Sequence, residues 1–149
     1  MKHAFVDTNV ILRFLVGDPP EMAEASTRLF EAVAEGSVDL VVDAVVIAEA
    51  VWVLGSFYGH DAASIAETLR AFLLQDGILA DDRDVLLHAL TLFETHGVDF
   101  VDALIAARMQ ATGIADIFSF DRHLDRLPAV RRHGPGDAPS LAVAEAEPR

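Results

Sequence analysis

The chain has 149 residues, 52% of them apolar, no cysteine and a net charge of −13. It is therefore expected to fold as one domain with its own core, and disulfides, thiolate metal sites and cysteine catalysis are excluded. No apolar run approaches the ~20 residues that cross a bilayer, and the N-terminus has no signal-peptide pattern, so a soluble cytoplasmic protein is the expectation.

In chain order, Ala4-Phe5-Val6 reads as a short strand buried on both faces. A helix over residues 10–16 follows, capped by Thr8 or Asn9 and broken at Gly17-Asp18-Pro19-Pro20. Residues 21–34 form a second helix and 38–42 a second buried strand. The apolar stretch 44–58 is a long helix whose Trp52 is expected in the core, with Asp43 as its cap. Asp61 caps a helix carrying Ile65, Leu69, Phe72 and Leu73 at helical spacing. A short strand over 78–80, a helix over 84–96 and a helix opened by Asp99 and closed by Gly113 come next. Residues 117–120 are a strand, and 129–131 a last short one. Residues 1–133 make the domain, and 134–149, dominated by Gly, Pro, Ala and Glu, are expected to be a disordered tail. Short apolar strands alternating with helices give an α/β fold, a twisted parallel sheet of about four to five strands with helices on both faces.

The informative residues are carboxylates where core residues are expected. Asp7 is the only charge between residues 4 and 12, and it stands where the first strand ends, the edge at which ligands collect in open parallel sheets. Glu49 is the only charge in 44–58, and Asp102 the only one in 100–107. Asp121 follows Phe118-Ser119-Phe120 at another strand end. Each has a plainer reading. Asp7 can cap the first helix, Glu49 can lie on a narrow exposed stripe, Asp102 can be a first-turn acid favoured by the helix dipole, and Asp121 can be a turn residue. Lys2 is the only lysine, so converging carboxylates would lack cations and raise one another's pKa. A bound divalent cation resolves that conflict, and oxygen ligands favour Mg²⁺ or Mn²⁺. The six histidines show no metal-ligand spacing and are assigned no site. An Asp after strand one also occurs in D-x-D phosphatases and receiver domains. Here Asn9 replaces the second Asp, and no late lysine exists.

Four segments carry a resemblance: Phe5-Val6-Asp7-Thr8-Asn9-Val10-Ile11-Leu12-Arg13, Ile47-Ala48-Glu49-Ala50-Val51-Trp52-Val53-Leu54, Asp99-Phe100-Val101-Asp102-Ala103-Leu104-Ile105-Ala106-Ala107 and Ser119-Phe120-Asp121-Arg122-His123-Leu124. Together they resemble the PIN-domain ribonucleases, and within them the VapC-type toxins of toxin–antitoxin pairs. The resemblance implies a PIN-like fold and a metal-dependent endoribonuclease. In it, Mg²⁺ or Mn²⁺ is held by Asp7, Glu49, Asp102 and Asp121. Ser119 orients a ligand or water, Thr8 and Asn9 support the site, and Asp99 caps its helix or backs the cluster. It further implies an RNA substrate, a small cognate antitoxin and a homodimer. The net charge means that RNA affinity must be local, with Arg13, Arg122 and Arg126 as candidate phosphate contacts. The alternatives are an inactive PIN-like binding module and a metal-dependent, structure-specific DNA nuclease.

Overall fold

Residues 2–137 are described in a computed structural model of the chain. Strands β1 (Lys2–Phe5), β2 (Val38–Val41) and β3 (Ile78–Leu79) form a parallel sheet in that order, with Ala4 opposite Leu40 and Leu40 opposite Ile78. Strands β4 (Asp116–Phe118) and β5 (Arg131–His133) form a separate parallel pair. The helices are α1 (Thr8–Val16), α2 (Pro20–Ala34), α3 (Ala44–Ser56), α4 (Ala62–Leu73), α5 (Arg83–His96) and α6 (Phe100–Thr112). Two 3₁₀ turns, Arg122–Arg126 and Pro135–Asp137, flank β5. Because parallel strands need crossovers, each chain return between β1, β2 and β3 is helical. The five expected strands are thus present, divided three and two. No helix among the described residues is long and apolar enough to cross a membrane.

The core lies where the helices meet the three-stranded sheet. Leu40 on the central strand, Ile78 on β3, Ile11 on α1, Ile47 and Leu54 on α3, Leu69 and Phe72 on α4 and Leu90 on α5 are almost wholly enclosed. Each such side chain contributes about 1.5–3 kcal/mol relative to exposure. Phe30 joins the α2 side to this core. Its ring lies 4.4 Å from that of Phe14 and meets Phe72 edge-on at 5.7 Å. Gly77 is required ahead of β3: its φ is +84°, and a Cβ there would stand 2.7 Å from Val33 Cγ1.

Several expectations are corrected. β1 is not buried on both faces. Phe5 is 76% exposed, Lys2 and His3 are exposed too, and β1 is also the edge of its sheet, pairing only with β2. Asp7, not Thr8 or Asn9, caps α1, its Oδ1 accepting the Thr8 N–H at 2.7 Å. The last strand starts at Arg131 because Pro128 and Ala129 form a turn, with Ala129 at φ 64°. Trp52 is not in the core: it is 67% exposed. Helix α3 turns Ile47, Ala50, Val51 and Leu54 inward, which leaves Val45, Glu49 and Trp52 on the outer stripe. Asp43 and Asp61 do cap α3 and α4, accepting from Val45 N and Ser64 N. The expected tail begins with an ordered turn, in which the Gly134 N–H donates to Asp137 Oδ2 at 3.2 Å. Residues 138–149 lie outside the described residues.

Candidate active site

Helix α6 and the loop after β4 bring two carboxylates together. Asp102 sits in the first turn of α6, one turn from Asp99 at the N-cap. Asp99 is exposed and makes no side-chain capping bond, so its carboxylate is left free for the site. Asp121 opens the 3₁₀ turn that follows β4. Its orientation is fixed on both sides. The Asp121 N–H donates to Ser119 Oγ at 2.9 Å, and Asp121 Oδ1 accepts from the His123 N–H at 2.9 Å. His123 Nδ1 is a further 3.1 Å neighbour of the same oxygen.

Behind this loop stands Arg132, only 17% exposed. Its Nη1 donates to the Ser119 carbonyl at 3.0 Å, and its Nε donates to Asp125 Oδ1 at 3.0 Å. Arg126 reaches the other way, its Nη1 donating to the Gly97 carbonyl at 2.9 Å. It therefore ties the same loop to the turn between α5 and α6.

The electrostatics are those of a site short of positive charge. Burial pushes the Asp102 carboxyl above the usual carboxylate value. The negative charges of Asp121 and Asp99 push it further, as does a hydrogen bond from the Asp121 side, and His123 offsets this only in part. Asp99, Asp102 and Asp121 border one cavity of about 620 Å³ whose other walls include Trp52, Ser56, His60 and Phe93. Among the described residues, no lysine or arginine lines it. All three acids supply hard oxygen donors, and a divalent cation is the group that would relieve the strain at Asp102. The donor chemistry therefore fits Mg²⁺ or Mn²⁺.

The remaining expected residues lie elsewhere. Asp7 is exposed at the carboxyl end of β1, held as the α1 cap. Glu49 is exposed on α3, one turn before Trp52. Neither borders the cavity, and among the described residues no three His, Asp or Glu side chains converge closely enough to hold a metal ion. Thr8 is buried beneath the Asp7 cap. Asn9 and Arg13 line a separate cleft of about 240 Å³ against α2, and Arg13 Nη1 donates to the Asp18 carbonyl. Arg122 is exposed beside Asp121. Arg126 is engaged with Gly97 and so is a structural tie before it is a phosphate contact.

Sequence reasoning placed Trp52 in the core and assigned His60 and His123 no site. The signal for Trp52 was present in the pattern. It stands three residues after Glu49, so the stripe that exposes Glu49 also exposes the indole. His123 lies two residues after Asp121, within hydrogen-bond reach of any turn formed there. Nothing in the sequence marks Arg132 as the residue behind Ser119.

No curated protein matches the chain. Residues 4–130 match the PIN domain, a family whose members are generally nucleases that use divalent metals, and the chain belongs to that family.

Proposed function

We propose that the chain is a divalent-metal-dependent endoribonuclease and the toxin of a type II toxin–antitoxin pair. The observation that carries the nuclease reading is the Asp102–Asp121 pair, two carboxylates on one cavity that, among the described residues, no lysine or arginine lines. Asp102 and Asp121 would hold Mg²⁺ or Mn²⁺, with Asp7 and Glu49 as the further ligands that the motif resemblance implies. When bound, the ion supplies the positive charge that draws in a phosphate and makes a nearby water acidic. The chain's own contribution is preorganisation. Ser119 Oγ anchors the Asp121 backbone and the His123 amide holds the Asp121 carboxylate before substrate arrives, while the first turn of α6 carries Asp102. Asp99 adds a third negative charge to the same field. Ser119 also offers its hydroxyl to water or substrate, and Asn9 supports the Asp7 end. The toxin role rests on the four motif segments. It brings with it a small cognate antitoxin and a homodimer.

The test is cleavage of RNA in Mg²⁺ or Mn²⁺, with products carrying 5′-phosphate and 3′-hydroxyl ends. EDTA should abolish it. Asp7→Asn, Glu49→Gln, Asp102→Asn and Asp121→Asn should each reduce it by roughly 10²-fold or more. Retained cleavage in EDTA would sink the mechanism. Preferential cleavage of structured DNA would replace RNA with DNA as the substrate. Inactivity towards both would leave a binding module. A neighbouring gene for a small protein with a DNA-binding N-terminus and an Arg-rich C-terminus would support the toxin role.

A further inference from the structure

The cavity that Asp102 and Asp121 border is also lined by an indole. Trp52 is 67% exposed, although tryptophan is among the side chains that gain most from burial. A single exposed aromatic needs no explanation, but this one has a defined setting. It forms one wall of the 620 Å³ cavity, and Val101, itself exposed on α6, also lines that cavity. Small residues, Ala48 and Gly55, occupy the positions one turn to either side of Trp52 along α3, which leaves the indole face open. The same walls also carry the Ser56 hydroxyl and the His60 ring, donors and acceptors suited to the edge of a flat heterocycle.

Charge narrows the occupant. The cavity carries three carboxylates and, among the described residues, no lysine or arginine, so in a chain of net charge −13 its side chains offer nothing to a polyanion's phosphates, and only a bound cation would. Beyond the pull of a bound cation, affinity for a nucleic acid in this cavity has to come from its uncharged parts, and of these the base offers a flat face to an indole. Base–aromatic stacking does not depend on phosphate neutralisation, and it is available only from a strand whose bases are not already stacked in a duplex.

We propose that Trp52 is a stacking platform for one nucleobase of a single-stranded nucleic acid, placed beside the Asp102–Asp121 carboxylates. This rests on the nuclease reading for the identity of the reaction, but not for the binding itself. A base held on Trp52 sets which stretch of backbone faces the carboxylates, so the indole governs substrate position and touches no reacting atom. Stacking is the same in the ground state and the transition state, so its loss raises KM and leaves kcat nearly unchanged.

Trp52 is the only tryptophan in the chain, so intrinsic emission reports this one side chain. The experiment titrates the full chain and its Asp102→Asn variant, in Mg²⁺, with three probes: single-stranded oligoadenylate, the same strand paired with oligouridylate, and inorganic polyphosphate. Saturable quenching by the single strand in both proteins is expected, with little response to the duplex and none to polyphosphate. In steady-state cleavage of the single strand, Trp52→Leu should raise KM by about five- to 150-fold, and Trp52→Phe should restore most of it. Because the ring is exposed, neither substitution removes core packing, and circular dichroism of both should match the parent.

Unchanged emission on adding the single strand overturns the platform, whether or not RNA is cut. So does equal quenching by polyphosphate. A shift of the emission with protein concentration alone also overturns it, since a second copy of the chain would then cover the indole. Quenching without cleavage by the parent chain sinks the nuclease reading and leaves the platform standing. Cleavage without quenching does the reverse.

Discussion

At the scale of single residues, two aspartates shift in opposite directions, and their pH signatures must differ in sign. Asp102 has its carboxyl raised by burial and by Asp121 and Asp99. Its favourable contribution is therefore complete below the ordinary value of 3.8 and is lost as pH rises through the raised value. At neutral pH, in the absence of metal, ionised Asp102 weakens the fold. Asp102→Asn should raise the thermal midpoint there by a few degrees at most, and the gap should close in acid. Added Mg²⁺ should stabilise the parent and leave the variant largely unmoved, a comparison that calorimetry reads directly. Asp116 is the converse. His133 Nε2 at 2.8 Å holds its carboxyl low, and Arg131 at 3.1 Å adds to this. Its contribution is present above 3.8 and is lost as pH falls through the lowered value. Asp116→Asn should therefore lower the midpoint at neutral pH and converge with the parent in acid.

Elements show where the sequence could be read and where it could not. The helices were legible because glycine stops and aspartate caps bracket them. Asp43 and Asp61 bond the backbone as their positions foretell. Helix α3 was legible as a helix but not in its orientation. It is apolar almost all round, so the one mark of its outer stripe is Glu49, a turn before Trp52. The final strand was misplaced by two residues because nothing before it warns that Ala129 takes a left-handed conformation. That conformation costs a non-glycine residue about 1–2 kcal/mol, of which glycine's greater chain entropy returns about half. Ala129→Gly should thus stabilise the chain by about 0.5–1 kcal/mol in a denaturant titration. At Gly77 the opposite holds. Gly77→Ala combines positive φ with a 2.7 Å approach to Val33, and should cost about 1–3 kcal/mol.

On the scale of the whole molecule, fold class was readable from strand and helix alternation alone. The site was readable only in part. Asp102 and Asp121 are neighbours on one cavity, brought there by α6 and the β4 loop in a way that no local pattern encodes. Asp7 and Glu49 were the more anomalous in sequence, yet they stand outside the shared cavity. An unpaired acid signals that something must neutralise it, and not where its neighbours lie. The net charge makes its own prediction. Self-repulsion of a −13 chain is screened by salt, so moderate sodium chloride should raise the melting temperature by a few degrees. A fall instead would mean that surface ion pairs such as Arg108–Asp82 outweigh the repulsion.

The bond from Arg126 to the Gly97 carbonyl joins two segments that no strand pairing connects. One carries Asp121, and the other leads directly into the turn that presents Asp99 and Asp102. Fluctuations of the two carboxylate bearers are thereby made common to both. The spacing on which any shared cation depends is kept by a guanidinium on the far side of the loop, outside the cavity altogether. Amide protons around residues 97–102 and 119–124 should then exchange as one cooperative unit in the parent, and as two in Arg126→Ala.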